Sequence, residues 1–342
     1  MQVATRKGGV RMSTVFHLKR NKVNWICKNQ DVIYEGVHLF TNHRDLHKTA
    51  LVMPPGTPAA WVSKYGSITI SQVAKDQPNG GMNEAGLVVE QTTLWQSEYP
   101  TADEWPSLNE LYWIQYLLDT CSTVEEALHA ASNVRIDQST TKLHYLLADA
   151  SGDCAIIEFI NGQMIVHHDE QLPLPVMTNT VYSKANQDIQ LGIRHWFDRD
   201  EYECNSMDRY LIVADALQAD TDEVRVEDAF RILSTAKRED TVYSLVYDIH
   251  ARIIYARTSR NQAIVSISLS KFDYSKQASS KAANLQKLHA DKGSCQFEAY
   301  SAAYNRQAIH AFFRDPVLTS IFKWEITDEM IQYLAHYPDT AY

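Results

Sequence analysis

The sequence lacks every compact cysteine arrangement. Its five cysteines, Cys27, Cys121, Cys154, Cys204 and Cys295, are odd in number and widely spaced, with no CxxC pair. That spacing argues against a zinc cluster or a redox motif, and it suits a reducing compartment better than a secreted disulfide framework. No run approaches the roughly 18 apolar residues that a membrane span requires. The opening residues, MQVATRKGGVRM, are basic but hold no apolar stretch of the kind a signal peptide needs. Positive charge is also scarce: 32 Lys and Arg stand against 42 Asp and Glu, a net charge of −10. A nucleic-acid backbone is therefore a poor partner, because phosphate binding needs clustered cations. There is no internal repeat, no low-complexity tract and no linker that would cut the chain in two. What remains is a cytoplasmic enzyme or small-molecule binder, 342 residues long and 45% hydrophobic, able to bury its own core without staples.

Strand and helix signals alternate through what is there. STVFHLK and NWICKN read as two strands joined by the polar turn Arg20-Asn21-Lys22. SITISQV and GLVVEQTTL read as a strand, a glycine-rich connection and a second strand over 67–94. A helical pair follows, with capping boxes expected at Ser107/Glu110 and at Thr123/Glu126. Residues 143–168 read as a three-stranded meander, with Asn161-Gly162 as a type I′ turn. Helices are expected from Met207 to Gln218 and from Val226 to Thr235, and a strand pair over 241–258. The tail from Ser275 is polar, then helical from about Tyr300 to Phe313 and again near Asp328 to Ala335. Helices grouped in pairs against many strands suggest a layered α+β domain.

Met12 followed by Ser13 at the head of a strand poses the chemical question. A methionine before a small residue is readily trimmed, and the freed α-amine, with a pKa of about 7.7–8.0, can act as a base near neutrality. Hydroxyl and base would then sit on one residue, the N-terminal-nucleophile arrangement. The plain alternative is a strand-start serine in an unprocessed chain. Asp31 closes the next strand, where a hairpin brings it back beside the first strand's start. A carboxylate there could orient an ammonium, and Lys28 could stabilise developing negative charge. Other polar residues read as structural. Cys27 reads as a small buried hydrophobe, Asn83-Glu84 as turn chemistry, and His167-His168-Asp169 as a strand end. His38, His43 and His47 read as loop or surface histidines rather than metal ligands, and Tyr112, Trp113 and Tyr116 as helix packing.

Taken in order, several stretches resemble the choloylglycine hydrolase and penicillin V acylase family, the linear-amide C–N hydrolases of the Ntn superfamily. STVFHLK…ICKNQDV is similar to that family's opening, and WVSKYGSITISQ with GGMNEAGLVVE to its central strand pair. LYWIQYLLDTCSTVEEAL, HYLLADASGDCAIIEF, PVMTNTVY, SMDRYLIV and TVYSLVYD…IIYARTSRNQAIVSISLSKFDY follow in matching order and spacing. The resemblance covers roughly residues 13–275, with a weaker echo in FEAYSAAYNRQAIHAFF.

The resemblance implies a four-layer αββα sandwich of the Ntn-hydrolase type and amide hydrolysis by a processed N-terminal cysteine. Residues 1–12 would be a leader, removed or a mis-set start. Residues 13–342 would be a single domain with a helical C-terminal extension from about 275. Ser13 falls on the cysteine nucleophile, Lys28 on an arginine, Asp31 on an aspartate, Thr93 on an asparagine, Asn179 on a second asparagine and Arg209 on a second arginine. Serine for cysteine is the serious departure, since a hydroxyl is a far weaker acid than a thiol and leans more on its base. Lysine for arginine keeps the charge and loses the bidentate fork. The expected substrate is a linear N-acyl amide of penicillin V, conjugated bile-salt or acyl-homoserine-lactone type. The expected oxyanion donors are the Asn179 side chain and the Thr93 backbone N–H, with no metal or cofactor. Selection is expected in the loops after Asp31 and around 55–66, and the assembly is expected to be a homotetramer. The alternative is an inactive relative, or a Cys-to-Ser variant, that binds N-acyl amides without turnover.

Overall fold

In the computed structural model, residues 11–101, 103–219, 223–290 and 296–341 are described. Two antiparallel sheets dominate. The six-stranded sheet runs Val176–Met177, Arg11–Arg20, Val23–Val32, Thr241–Asp248, Ile253–Thr258, Val265–Ser268. The nine-stranded sheet runs Gln163–His168, Cys154–Ile160, Leu143–Ala148, Val88–Thr93, Gly80–Asn83, Ser67–Ser71, His38–Asn42, Lys281–Asn284, Glu298–Ala299. The sheets face each other, with Arg11–Arg20 against Val88–Thr93. Helices Tyr112–Thr120 and Val124–Ser132 cover the outer face of the nine-stranded sheet. Glu201–Gln218 and Val226–Thr235 cover the outer face of the six-stranded one. This is the four-layer αββα order.

The layering explains why LVV at 87–89 and YLLA at 145–148 are continuously apolar. Successive side chains of a strand point to opposite faces. Val88 and Leu146 enter the core between the sheets, while Val89 and Leu147 enter the core under the helices. A strand buried on both faces needs apolar residues at every position.

Several expectations are corrected. Ser107 is no N-cap: Ser107–Leu108 is a short strand beside Arg135–Ile136. The Asn109 side chain instead accepts the N–H groups of Leu111 and Tyr112, and Glu110 accepts from Thr140. At Thr123 the cap forms, with Oγ1 accepting from Glu126 N at 3.1 Å. The glycine-rich connection is itself a strand, Gly80–Asn83. A Cβ on Gly81 would stand 2.7 Å from the Ile68 carbonyl oxygen, so only glycine permits this strand spacing. The helix read from Met207 begins at Glu201, capped by Asp200, and Tyr182–Gln190 is a further helix. The tail adds two strands to the large sheet and a third helix, Pro316–Phe322, between the two expected ones. The meander, its Asn161-Gly162 turn with both residues at positive φ, and the 241–258 pair form as read. Among the described residues no helix is long and apolar enough to cross a membrane. The leader is outside the described residues up to position 10; Arg11 and Met12 continue the first strand.

Candidate active site

The hairpin turn holds two residues, Asn21 and Lys22, and this fixes the register of everything beyond it. Arg20 pairs with Val23, so Ser13 lies across from Gln30, Met12 from Asp31 and Val15 from Lys28. Ser13 is buried in mid-strand. Its backbone N–H donates to Asn179 Oδ1 at 3.1 Å, and its hydroxyl to the Met12 carbonyl at 2.5 Å and Gln30 Oε1 at 3.4 Å.

Asn179 follows the edge strand Val176–Met177, which pairs with Val15 and Phe16. Helix Glu201–Gln218 grips it twice. Ser206 and Arg209, three residues apart, lie on one helical face. Ser206 Oγ accepts Asn179 N at 2.9 Å, and Arg209 Nη2 donates to Asn179 Oδ1 at 2.7 Å. Arg209 Nη1 also reaches the Ser13 carbonyl and Thr14 Oγ1, while Asn205 Oδ1 holds its Nε. The Asn179 amide nitrogen donates to the Thr93 carbonyl at 2.8 Å. An amide nitrogen has two N–H bonds, so one remains to be directed elsewhere.

Asp31 is fully buried. Its Oδ1 accepts from Thr241 Oγ1 at 2.6 Å; its Oδ2 has no hydrogen-bond partner and lies 3.9 Å from Arg209 Nη1. Burial pushes the carboxyl up to about 6, against the opposing pull of Arg209 and Thr241. Burial likewise lowers Arg209 from its usual value.

Lys28 departs from expectation. Its Nζ contacts Glu90 Oε2 at 2.5 Å and the Gln91 carbonyl at 3.0 Å, bridging the two sheets. Glu90 is completed by Tyr247. Burial lowers the lysine and raises the carboxyl, each opposed by the other's charge. Lys28 is thus committed to an inter-sheet ion pair.

A cavity of about 170 Å³ opens beside this group, with Gln30, Gln91 and Thr93 among its walls. Residues 55–66 do not line it. Val32, after Asp31, does, together with residues from 72–79, 109–111, 140–143 and the C-terminal segment.

Sequence reasoning missed Gln30, Ser206, Thr241 and the network behind Asn179. In that network, His144 Nδ1 meets Glu158 Oε1 at 2.9 Å, and its Nε2 meets the Thr178 carbonyl at 3.0 Å beside Thr92. His167 and Tyr182 N hold the same carboxylate, whose pKa these bonds lower to about 2 although burial opposes them. Gln30 could have been found by counting from a two-residue turn; Ser206 and Arg209 share a face only once helix SMDRY is placed.

The residues read as structural mostly are. Cys27 is buried, Asn83 organises its turn, and Tyr112 and Trp113 pack under the sheet. His38 is half-buried in a strand and His43 is buried in the loop that follows it, and burial lowers each to about 4. Among the described residues the one group of ligand atoms close enough to hold a metal is Asp153, His168 and Asp169, within 4.8 Å of one another. His168 is already shared between the two carboxylates there.

Two facing antiparallel sheets between helical layers, with a serine on the first strand of the smaller sheet, define a fold of the Ntn-hydrolase class. The penicillin V acylase of Agrobacterium tumefaciens superposes with a TM-score of 0.68 at 24% identity, over 84% of this chain and 98% of that one. A variant of the conjugated bile acid hydrolase from Clostridium perfringens superposes at 0.63 with 17% identity, over 84% and 96%. The family model for linear amide C–N hydrolases, choloylglycine hydrolase family, matches residues 49–188. Penicillin V acylase of Pectobacterium atrosepticum is 36% identical over 158 residues, 41% of this chain. The match spans 40% of that relative's own length. The chain is similar to the choloylglycine hydrolase family in sequence over its central section, and shares the fold of these two solved structures over most of its length.

Proposed function

We propose that the chain is an amidohydrolase that cleaves linear N-acyl amides through Ser13, once the segment ahead of Ser13 is removed. The observation that carries this reading is the convergence of Ser13, Asn179, Arg209 and Asp31, with Ser13 and Asn179 bonded to two residues of the cavity wall, Gln30 and Thr93. Loss of Met12, which lies across from Asp31, frees the Ser13 nitrogen one residue from that pairing, and Asp31 Oδ2 has no hydrogen-bond partner. An ammonium is what a buried, unsatisfied carboxylate oxygen lacks. The neutral amine takes the hydroxyl proton as Oγ adds to the substrate carbonyl. The second N–H of Asn179 and the Thr93 N–H receive the oxyanion. Removing one such donor typically costs roughly 10²–10³-fold in rate. The amine product departs with the proton, and water cleaves the acyl ester. Arg209 fixes the orientation of Asn179, while Lys28 supports the sheet pairing. Acyl groups of penicillin V, bile-salt and acyl-homoserine-lactone amides define the substrate menu. A cytoplasmic homotetramer completes the reading, and sedimentation checks the assembly.

A second reading follows from the Ser13 hydroxyl's donation to the Met12 carbonyl within an unbroken strand: a binding protein without turnover. Intact mass of the purified protein, with assays on a panel of N-acyl amides, decides. A chain starting at Ser13 that releases amine, more slowly below about pH 7.7 as its own amine protonates, supports the hydrolase. A chain that keeps Met12 in every preparation, or a Ser13→Cys variant silent on the whole panel, overturns it.

A further inference from the structure

Resting on the hydrolase reading for the identity of its ligand, we propose that the C-terminal segment sets acyl specificity. Its rings Phe312, Phe313 and Trp324 form a wall that selects acyl groups carrying one flat ring. All three line the same cavity as the polar strand residues Gln30, Gln91 and Thr93. The lining thus offers polar groups suited to a carboxamide and aromatic surface suited to a ring.

The wall is built in advance. Phe312 and Trp324 stack with centroids 5.2 Å apart and planes 29° apart. Phe313 meets Trp324 edge-on at 5.0 Å, and Tyr34 backs Phe312 at 5.2 Å. Trp324 reaches this position because the chain reverses. Asp315 Oδ1 caps helix Pro316–Phe322 through Val317 and Leu318, and Lys323 ends the helix at φ 51°. Arg314 then ties down the following residues through the Ile326 carbonyl and Asp328, both at 2.9 Å. A ligand ring therefore meets fixed faces and edges, the geometry aromatic pairs prefer.

Size narrows the choice. An apolar cavity of roughly 150 Å³ holds one benzene, and this one measures about 170 Å³. That volume suits a single ring on a short linker better than the four fused rings of a bile acid. Residues 312–324 also lie beyond the stretch the family model matches, 49–188.

The test compares phenylacetyl, acetyl and bile-acid amides of one amine, for the protein and for its Trp324→Ala and Trp324→Leu variants. Trp324→Ala should lower the phenylacetyl-to-acetyl ratio of kcat/KM about 10-fold, mostly through KM, the scale at which apolar pockets discriminate. Trp324→Leu, which keeps an apolar contact with Phe312, should recover part of the ratio and controls for misfolding. An unchanged ratio, or preferred cleavage of the bile-acid amide, overturns the proposal. Calorimetry of phenylacetyl amide on Ser13→Ala protein separates the two claims. Binding that Trp324→Ala weakens, without turnover in the parent, sinks the hydrolase and keeps the wall. No binding at all sinks the wall.

Discussion

Asp31 shows how burial sets the behaviour of a single residue. Its carboxyl titrates near 3.8 when exposed and at about 6 in the fold, because desolvation outweighs the help of Arg209 and Thr241. In the chain that keeps Met12, the native state therefore holds its proton to higher pH than the unfolded chain does. Stability from this group is complete below 3.8 and is lost as pH rises through about 6. Asp31→Asn carries no charge and should flatten that loss, of order ~3 kcal/mol. Urea denaturation of both proteins from pH 4 to 7 checks this; a difference that stays constant across the window would refute it. Lys28 gives the opposite case. Lys28→Met strands a buried Glu90 and should cost about 3–5 kcal/mol, whereas adding Glu90→Gln should return much of it. Equal stability of single and double variants would show that the pair contributes nothing.

Among the secondary-structure elements, the signals that held were local ones. Asn161-Gly162 demands positive φ at both positions, and the Thr123 hydroxyl sits where a helix needs an acceptor. The signals that misled, at Ser107 and in the glycine-rich connection, were overridden by neighbours distant in sequence. Arg135–Ile136 draws Ser107–Leu108 into a strand, and the Ser67–Ser71 and Val88–Thr93 strands draw Gly80–Asn83 between them. Gly81→Ala is expected to cost about 1–3 kcal/mol through its clash with the Ile68 carbonyl, measured as a lower urea midpoint. A midpoint equal to the parent's would mean that the strands part freely.

Across the whole molecule, the C-terminal segment ties a cavity wall to the loop between Ser67–Ser71 and Gly80–Asn83. Asn305, buried in helix Ala302–Phe313, accepts Lys75 N at 3.0 Å and donates to the Ala335 carbonyl at 3.1 Å. Asn305→Ala should therefore loosen helices 302–313 and 328–336 together, raising their amide exchange while Arg11–Arg20 stays protected. Exchange confined to one helix would contradict a shared anchor.

The sequence by itself determined the strands of the meander, the hairpin that carries Ser13, the layered class and the order of motifs that reveals the relatives. These rest on side-chain periodicity and turn chemistry, which act over a few residues. Tertiary structure alone decided that Asn179 meets Ser13 N, that Lys28 is absorbed by Glu90, and that rings from residues 312–324 close a cavity begun at Gln30. Each such pairing joins groups far apart along the chain, and only the packing of two sheets brings them within reach.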